Sequence, residues 1–538
     1  MVIGNEYDAV ILGSGIAGLA AALAAHEKGL QPLLIEKADK VGGGTSNSWG
    51  LIWVGNNHVA RAAGYSDSRA ETMSYMTFLA GGETFEANLE AFVDASPSVL
   101  KFFQDCGIPF RLARGVKDHY YGVAPGAKAE GRSLEVELIS GFDLGEWRHR
   151  VHIPAVQPCF ITAEEQISWG GMNRSSFWDK ALVGRRQRED LRGKGVGLVC
   201  QFLKAILERK IPIVTSEKVQ GLTVERGRVT GVEMARGAVT ARKGVVLATG
   251  GYESSPDLVR SFEGLPGWVS MFPASVSGDG MILGGEVGAA IHIIRNNMQL
   301  LLGFNVLGSE SAAEPEFHLA SNVELCSPHT VVVNKEGRRF ADEAFFQGMV
   351  PGLRRFETET HSYPNLPCFL IFDQQYADAY SFGGFPAGSE IPGWVARDST
   401  IRGLASELAV DADGLQATIE CFNQFARAGR DEDFRRGERA WRLADRAEMP
   451  PGSNQSLGTI EVPPFFGIEL HPSAVGSAGL LTNAHGQVLN TRRSAIPGLY
   501  ATGNTAARIE FGAGYQAGLT LASGMTYSYL AVEHMSAS

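Results

Sequence analysis

Three things are scarce in this sequence, and each scarcity excludes a class of protein. Only 6 cysteines occur in 538 residues (Cys106, Cys159, Cys200, Cys326, Cys368 and Cys421), none of them in a Cys-x-x-Cys pair. That spacing excludes a thiolate zinc site or an iron–sulfur cluster and leaves reduced thiols as the expected state. Basic charge is also short: the net charge is −11, with no local basic stripe to offset it. Nucleic acid and anionic membrane surfaces are therefore not expected partners. The third absence is an uninterrupted apolar run of the ~18 residues needed to span a bilayer. The opening residues carry neither a basic n-region nor a cleavage site, so a cytoplasmic location is expected. No internal repeat or low-complexity tract breaks the chain.

What is plentiful is glycine, 65 residues, clustered beside apolar strands. Tyr7 to Leu12 reads as a buried parallel strand. It is followed by the turn Gly13-Ser14-Gly15-Ile16-Ala17-Gly18 and by an alanine- and leucine-rich helix ending at Gly29. Pro32 to Glu36 is a second strand, closing with an acid and followed by Lys37. Strand, glycine turn, helix, strand and acid make a complete dinucleotide-binding unit. Gly13 permits the tight turn, Gly15 lets the backbone approach a pyrophosphate, and Gly18 lets helix and strand pack closely. The helix N-terminus near Ile16 turns its positive end to the phosphates. Glu36 is placed to accept from both ribose hydroxyls and repels a 2′-phosphate.

A second glycine loop, Gly42-Gly43-Gly44-Thr45-Ser46, follows the acid closely, where further βα units would continue in an NAD dehydrogenase. Two late turns, Ala248-Thr249-Gly250-Gly251 and Ala501-Thr502-Gly503-Asn504, each follow an apolar strand. Together they suit a long cofactor whose far end meets late backbone, which points to FAD. The rest of the chain alternates. Residues 65–107, 195–210 and 411–427 read as helical, and 108–192 as an irregular excursion rich in aromatics. His329 to Phe340 reads as a hairpin tipped by Lys335-Glu336-Gly337, 430–446 as a solvated charged face or excursion, and Ala517 to Met535 as the last helix. The expected fold is α/β. A discontinuous Rossmann-like FAD-binding domain (1–284 and 456–538) carries an inserted α+β capping domain (285–455).

The stretches GSGIAGLAAAL, EKADKVGGGTSNSWG, GVVLATGGYE, SGDGMILGGEVGA, GRRFADE and IPGLYATGN resemble the fumarate reductase and 3-ketosteroid dehydrogenase superfamily of flavoproteins nearly end to end. The resemblance implies FAD between two domains, the second capping the isoalloxazine. It puts phosphate and ribose contacts on Gly13, Gly15, Ala17, Gly18 and Glu36, and flavin contacts on Gly43, Gly44, Thr45 and Ser46. Val219 would meet adenine, and Asp279 would sit near the flavin. Gly503, Asn504, Gly518 and Leu519 would form the closing loop, where a helix N-terminus stabilises reduced flavin. The respiratory branch links FAD covalently through a histidine in the second loop. Gly42 to Trp49 contains none, so non-covalent FAD is expected.

For activity, the resemblance implies desaturation beside a ketone of a bulky ring, with tyrosines as proton-transfer groups. Tyr515, in Gly514-Tyr515-Gln516-Ala517-Gly518, matches best, although Ala517 replaces a serine of one branch. Tyr120 and Tyr121 match the tyrosine-bearing substrate loop, or else pack beneath a lid. Phe345-Phe346 stand where one branch has another tyrosine. His471 could meet a carbonyl or be structural. Arg508 and Glu510 could pair with each other, and Trp147, Phe160, Trp169 and Phe177 could line an apolar pocket. Two alternatives stay open: a fumarate- or urocanate-type reductase, and a flavin-binding subunit without chemistry. The electron partner is not legible.

Overall fold

A computed structural model describes residues 4–154, 158–307, 316–438 and 454–538. At its centre is an eight-stranded sheet whose parallel part explains the apolar runs of the sequence. Strand Glu6–Leu12 pairs in parallel with Pro32–Ile35 on one side and Gly237–Leu247 on the other. Ala495–Ala501 extends the sheet past Gly237–Leu247, and Ile213–Val214 past Pro32–Ile35. Strands covered on both faces need no polar alternation, and Val10, Ile11, Leu33, Val245 and Leu247 are fully buried. Val219–Glu225 and Arg228–Met234 form a hairpin around Arg226-Gly227.

One face of this sheet is covered by helix Ile16–Glu27, which packs against the closing helix Leu519–Ala537 and helix Lys194–Glu208. The first helix is mostly alanine and glycine, and that small cross-section lets it sit close to its neighbours. Ser528 Oγ of the closing helix donates to the Ala17 carbonyl at 2.7 Å, tying the two ends of the sequence together.

A second, six-stranded antiparallel sheet forms the cap. Its order is Glu316–Leu319, Leu300–Val306, Phe465–Ala474, Cys368–Asp373 and Thr330–Asn334, with Ala396–Asp398 also on Phe465–Ala474. Phe465–Ala474 is thus a central strand of the cap, so the change of sheet falls after Ala474 and not at 456. The expected hairpin at 329–340 does not form. Thr330–Asn334 turns at Lys335–Gly337 but pairs with Cys368–Asp373, because the apolar strand further on supplies the partner that Arg338–Phe340 does not.

Part of the charged stretch 430–446 lies outside the described residues; of the rest, Arg430, Glu432, Asp433, Arg435 and Glu438 are exposed, but two charged residues turn inward. Arg436 is fully buried, donating to the Leu325, Ser327 and Ser456 carbonyls and pairing with Glu343 at 3.1 Å. Asp431 is buried against Arg339 at 2.8 Å. Among the described residues no helix is long and apolar enough to cross a membrane.

Candidate active site

Both late turns, both glycine loops and the start of the closing helix open onto one elongated cavity between the central sheet and the cap. Its dinucleotide end is set by side chains that are missing. Gly13 has φ +98°, and a Cβ there would lie 2.3 Å from the Ala248 carbonyl oxygen. A Cβ on Gly18 would lie 1.8 Å from the Gly13 oxygen, so Gly18 packs the turn against its helix and does not itself line the cavity. Ser14 ties the turn to the acid: its N–H and Oγ donate to Glu36 Oε2 at 2.9 and 2.6 Å. The other oxygen, Oε1, accepts from Ala38 N–H at 2.8 Å. A carboxylate has about four acceptor positions, so Glu36 keeps capacity for a ribose. Val219 lines the same end.

Asp279, expected beside the flavin, belongs instead to this end. It pairs with Lys37 at 2.5 Å, and Lys37 also donates to Ser277 Oγ at 2.7 Å. The half-buried lysine head beside the acid loop draws the carboxylate to itself.

In the second loop, Gly43 has φ +47° and open space where a side chain would be, as a close-lying ligand requires. Thr45 Oγ1 accepts from Ile16 N–H at 2.9 Å and locks the two glycine loops together. Ser46 is buried behind the loop and does not line the cavity, contrary to expectation; its Oγ has no partner. His152 reaches this loop from outside, with Nε2 3.0 Å from Asn47 Oδ1.

At the far end, Ala248, Thr249, Gly250, Gly503 and Asn504 form the wall, and Asn504 Oδ1 is a buried acceptor without a partner among the described residues. Gly518 has φ +87° and hydrogen-bonds Trp53 N–H through its carbonyl at 3.1 Å. It starts the 19-residue closing helix, whose first turn (Thr520, Leu521) lines the cavity while Leu519 turns into the core. Open glycine loops, an orphaned amide oxygen and a positive helix end fit an elongated, anionic dinucleotide with a polar ring edge.

Tyr515 closes the substrate end. Its ring stacks edge-on to His119 at 4.9 Å and to Phe346 at 5.4 Å, and burial pushes its phenol up to about 12. Gln516 behind it accepts from Tyr75 Oη at 2.6 Å and His119 N–H at 2.9 Å, which fixes the loop. The other two tyrosines are not in the cavity. Tyr120 packs on Phe78 and Phe345 at 5.5 and 5.8 Å, and Tyr121 is half exposed at the surface. The tight turn at 118–121 points His119 inward in their place. Burial holds that imidazole down at about 3, and Gln347 Nε2 is 3.0 Å from its Nδ1. The turn stands on a buried ion group: Asp118 accepts from Trp53 Nε1 at 2.7 Å and Arg132 at 2.9 Å, and Arg132 also meets Asp67 at 2.8 Å.

Other expected residues lie elsewhere. His471 sits outside the cavity, near the Gly267 carbonyl at 3.2 Å. Arg508 and Glu510 do not pair: Arg508 donates to the Val475 and Gly476 carbonyls, and Glu510 accepts from Ser523. Trp147, Phe160, Trp169 and Phe177 do not line the cavity, Phe177 being exposed. The apolar wall comes instead from Leu51, Val116, Ile167, Phe272, Leu301 and Phe317. His318, from the cap strand Glu316–Leu319, faces the same cavity; only a lone His–Glu spacing marked it in the sequence.

Comparison with known proteins agrees with this geometry. The family described as FAD binding domain matches residues 8–521. The 4-oxocyclohexanecarboxylate 2-dehydrogenase of Sinomonas cyclohexanicum is 32% identical over 98% of this chain and 92% of its own length. A 3-oxosteroid 1-dehydrogenase of Mycolicibacterium smegmatis is 30% identical over 98% of this chain and 97% of its own. The crystal structure of 3-ketosteroid delta1-dehydrogenase from Sterolibacterium denitrificans, in complex with 1,4-androstadiene-3,17-dione, superposes with a TM-score of 0.88. It shares 28% identity and covers 99% of this chain and 100% of that one. A flavocytochrome c3 fumarate reductase shares the fold, with a TM-score of 0.65 at 19% identity over 99% of this chain and 78% of its own. A match that runs from Asp8 to Leu521, with relatives aligned end to end, shows that the chain belongs to the FAD binding domain family and is an FAD-dependent oxidoreductase.

Proposed function

We propose that this enzyme introduces a C=C bond next to the carbonyl of a cyclic ketone, either a 3-ketosteroid or a smaller ring ketone. The observation that carries the reading is Tyr515, enclosed at the end of the cavity beside the N-terminus of the closing helix. Its buried phenol stays protonated near neutral pH and donates to the ketone oxygen, making the adjacent hydrogen acidic. Bound FAD supplies the hydride acceptor. Leu51, Val116, Phe272 and Leu301 hold the ring carbons and exclude water. Gln516, fixed by Tyr75 and the His119 N–H, sets the height of Tyr515.

The cofactor residues proposed are those on the cavity wall: Gly13, Ser14, Gly15, Ile16, Ala17, Glu36 and Lys37 for the dinucleotide, and Gly43, Gly44, Thr45, Gly503, Asn504 and Gly518 for the flavin half. We place the domain division at the change of sheet, after Ala474, a reading supported by the pairing of Phe465–Ala474 with the cap strands. Arg508 does not line the cavity and its Nη2 donates to two carbonyls, which disfavours the fumarate-type alternative. Six free cysteines support a reducing, cytoplasmic setting.

The test is an anaerobic flavin-bleaching screen with 3-ketosteroids and 4-oxocyclohexanecarboxylate. Bleaching by at least one is expected; a flavin that stays oxidised with all of them sinks the reading.

A further inference from the structure

Desaturation beside a ketone needs a base as well as a donor, and the two tyrosines expected near Tyr515 do not supply one. Tyr120 is packed away from the cavity, and Phe345 and Phe346 carry no hydroxyl. His119, against the Tyr515 ring, has Gln347 at Nδ1 and the Ala517 N–H 3.4 Å from Nε2, and it does not line the cavity. The remaining titratable groups on the wall are Lys117, an ammonium beside Val116, and those of the dinucleotide end: Glu36, Lys37, Glu217 and Asp279.

His318 differs from all of these. It lies on the cavity wall between Phe317 and Leu319, with its Nε2 2.9 and 3.0 Å from the two oxygens of Glu324. Glu324 is fully buried and held from its other side by the Gly383 N–H at 3.1 Å. The Phe304 ring, 5.0 Å away, fixes the plane of the imidazole. A carboxylate can only accept, so Nε2 carries the hydrogen and Nδ1 is left as the exchangeable position. Nδ1 has no hydrogen-bond partner among the described residues. An imidazole on the cavity wall, oriented by a buried carboxylate and with its other nitrogen unpartnered among the described residues, is an arrangement able to take up a proton and stabilise the resulting cation.

We infer that His318, oriented by Glu324, is the base that removes the hydrogen next to the substrate carbonyl. The inference rests on the ketone-desaturation reading above. The C–H bond at the carbon beside the carbonyl breaks and its proton moves to His318 Nδ1. The electron pair left behind becomes the C=C bond as hydride leaves the adjacent carbon for FAD, the oxidant. Glu324 balances the imidazolium until its proton is released to solvent. Tyr515 holds the carbonyl oxygen, and His318 works from the cap side of the same ring.

The experiment separates proton transfer from oxidation. Enzyme reduced anaerobically cannot accept hydride, so exchange of ketone hydrogens with D2O, followed by NMR, reports the proton step alone. The probe is 4-oxocyclohexanecarboxylate or a 3-ketosteroid, whichever bleaches the oxidised wild type. His318→Gln, close in size, is expected to slow exchange about 10²-fold or more, the range of general-base catalysis. Glu324→Gln should slow it about 10- to 100-fold, as expected for loss of an orienting partner. Ketone binding to the oxidised form, read from the perturbed flavin spectrum, should stay within about threefold in both variants. Unchanged exchange in a flavin-loaded His318→Gln or Glu324→Gln variant overturns the assignment. A loss of binding that accounts for the loss of exchange also overturns it, since His318 would then be an anchor. A wild type that bleaches with no ketone fails at the earlier step and removes the desaturation reading itself.

Discussion

Replacing Tyr515 with phenylalanine removes one oxygen and leaves the ring where it is, against His119 at 4.9 Å and Phe346 at 5.4 Å. Packing should therefore be nearly unchanged, and the cost falls on chemistry. Burial pushes the phenol up to about 12, so at pH 8 only about one molecule in 10⁴ is ionised. A phenolate base would operate through that small fraction, whereas a neutral donor to the ketone oxygen is present in full. Loss of one such donor costs about 10²- to 10³-fold in rate, about 2.7–4 kcal/mol of transition-state stabilisation. The assay is the rate of flavin reduction by ketone in single-turnover mixing, for both proteins from pH 7 to 10. The variant should be slower by that factor at every pH, with no tenfold-per-unit rise in the wild type traceable to Tyr515. A loss under tenfold refutes the donor role. A wild-type rate that climbs with pH until Tyr515→Phe abolishes the climb refutes the protonation argument.

The remaining predictions concern the frame. Gly18→Ala places a methyl 1.8 Å from the Gly13 oxygen and should weaken FAD about 10- to 100-fold, read by flavin retention on dialysis; undiminished retention would contradict the tight-turn account. Arg132→Met leaves Asp67 and Asp118 buried without their cation and should cost about 3–5 kcal/mol in denaturant unfolding, with a cost below 1 kcal/mol counting against it. Glu510 is raised to about 7 by burial, against the opposing hydrogen bond from Ser523. Its folded value exceeds the unfolded one, so its contribution to stability is whole below about 4.3 and is lost as pH rises through 7. Thermal unfolding of Glu510→Gln should therefore gain on the wild type from pH 5 to pH 8, and a constant difference would show that Glu510 is not the titrating group.

The nucleotide-binding half was legible because its signals are local. Turn, helix and strand from Gly13 to Glu36 occupy about thirty consecutive residues, and each glycine answers to a steric demand a few residues away. The cap was less so. Thr330–Asn334 finds its partner beyond a loop at Cys368–Asp373, and no nearby residue announces that pairing. Charge misled at Arg436, which reads as surface but has its guanidinium satisfied by three carbonyls and Glu343. Tyr120 and Tyr121 carry the resemblance of their loop, but a loop sequence does not reveal which side chain its turn directs inward, and here His119 meets the Tyr515 ring. His318 and Glu324 are six residues apart, yet their facing onto the cavity depends on the cap sheet as a whole.

The bond between Ser528 and the Ala17 carbonyl, with Ser528 Oγ also 3.0 Å from Thr502 Oγ1, joins the beginning of the sequence to its last stretch. Both stretches line one cavity although most of the sequence lies between them. Until Asn504, Gly518 and the closing helix have been made, the cofactor can meet only half of its seat, and the first helix lacks the neighbour that covers it. Holding FAD therefore requires both stretches at once, and a chain cut between them should retain no flavin.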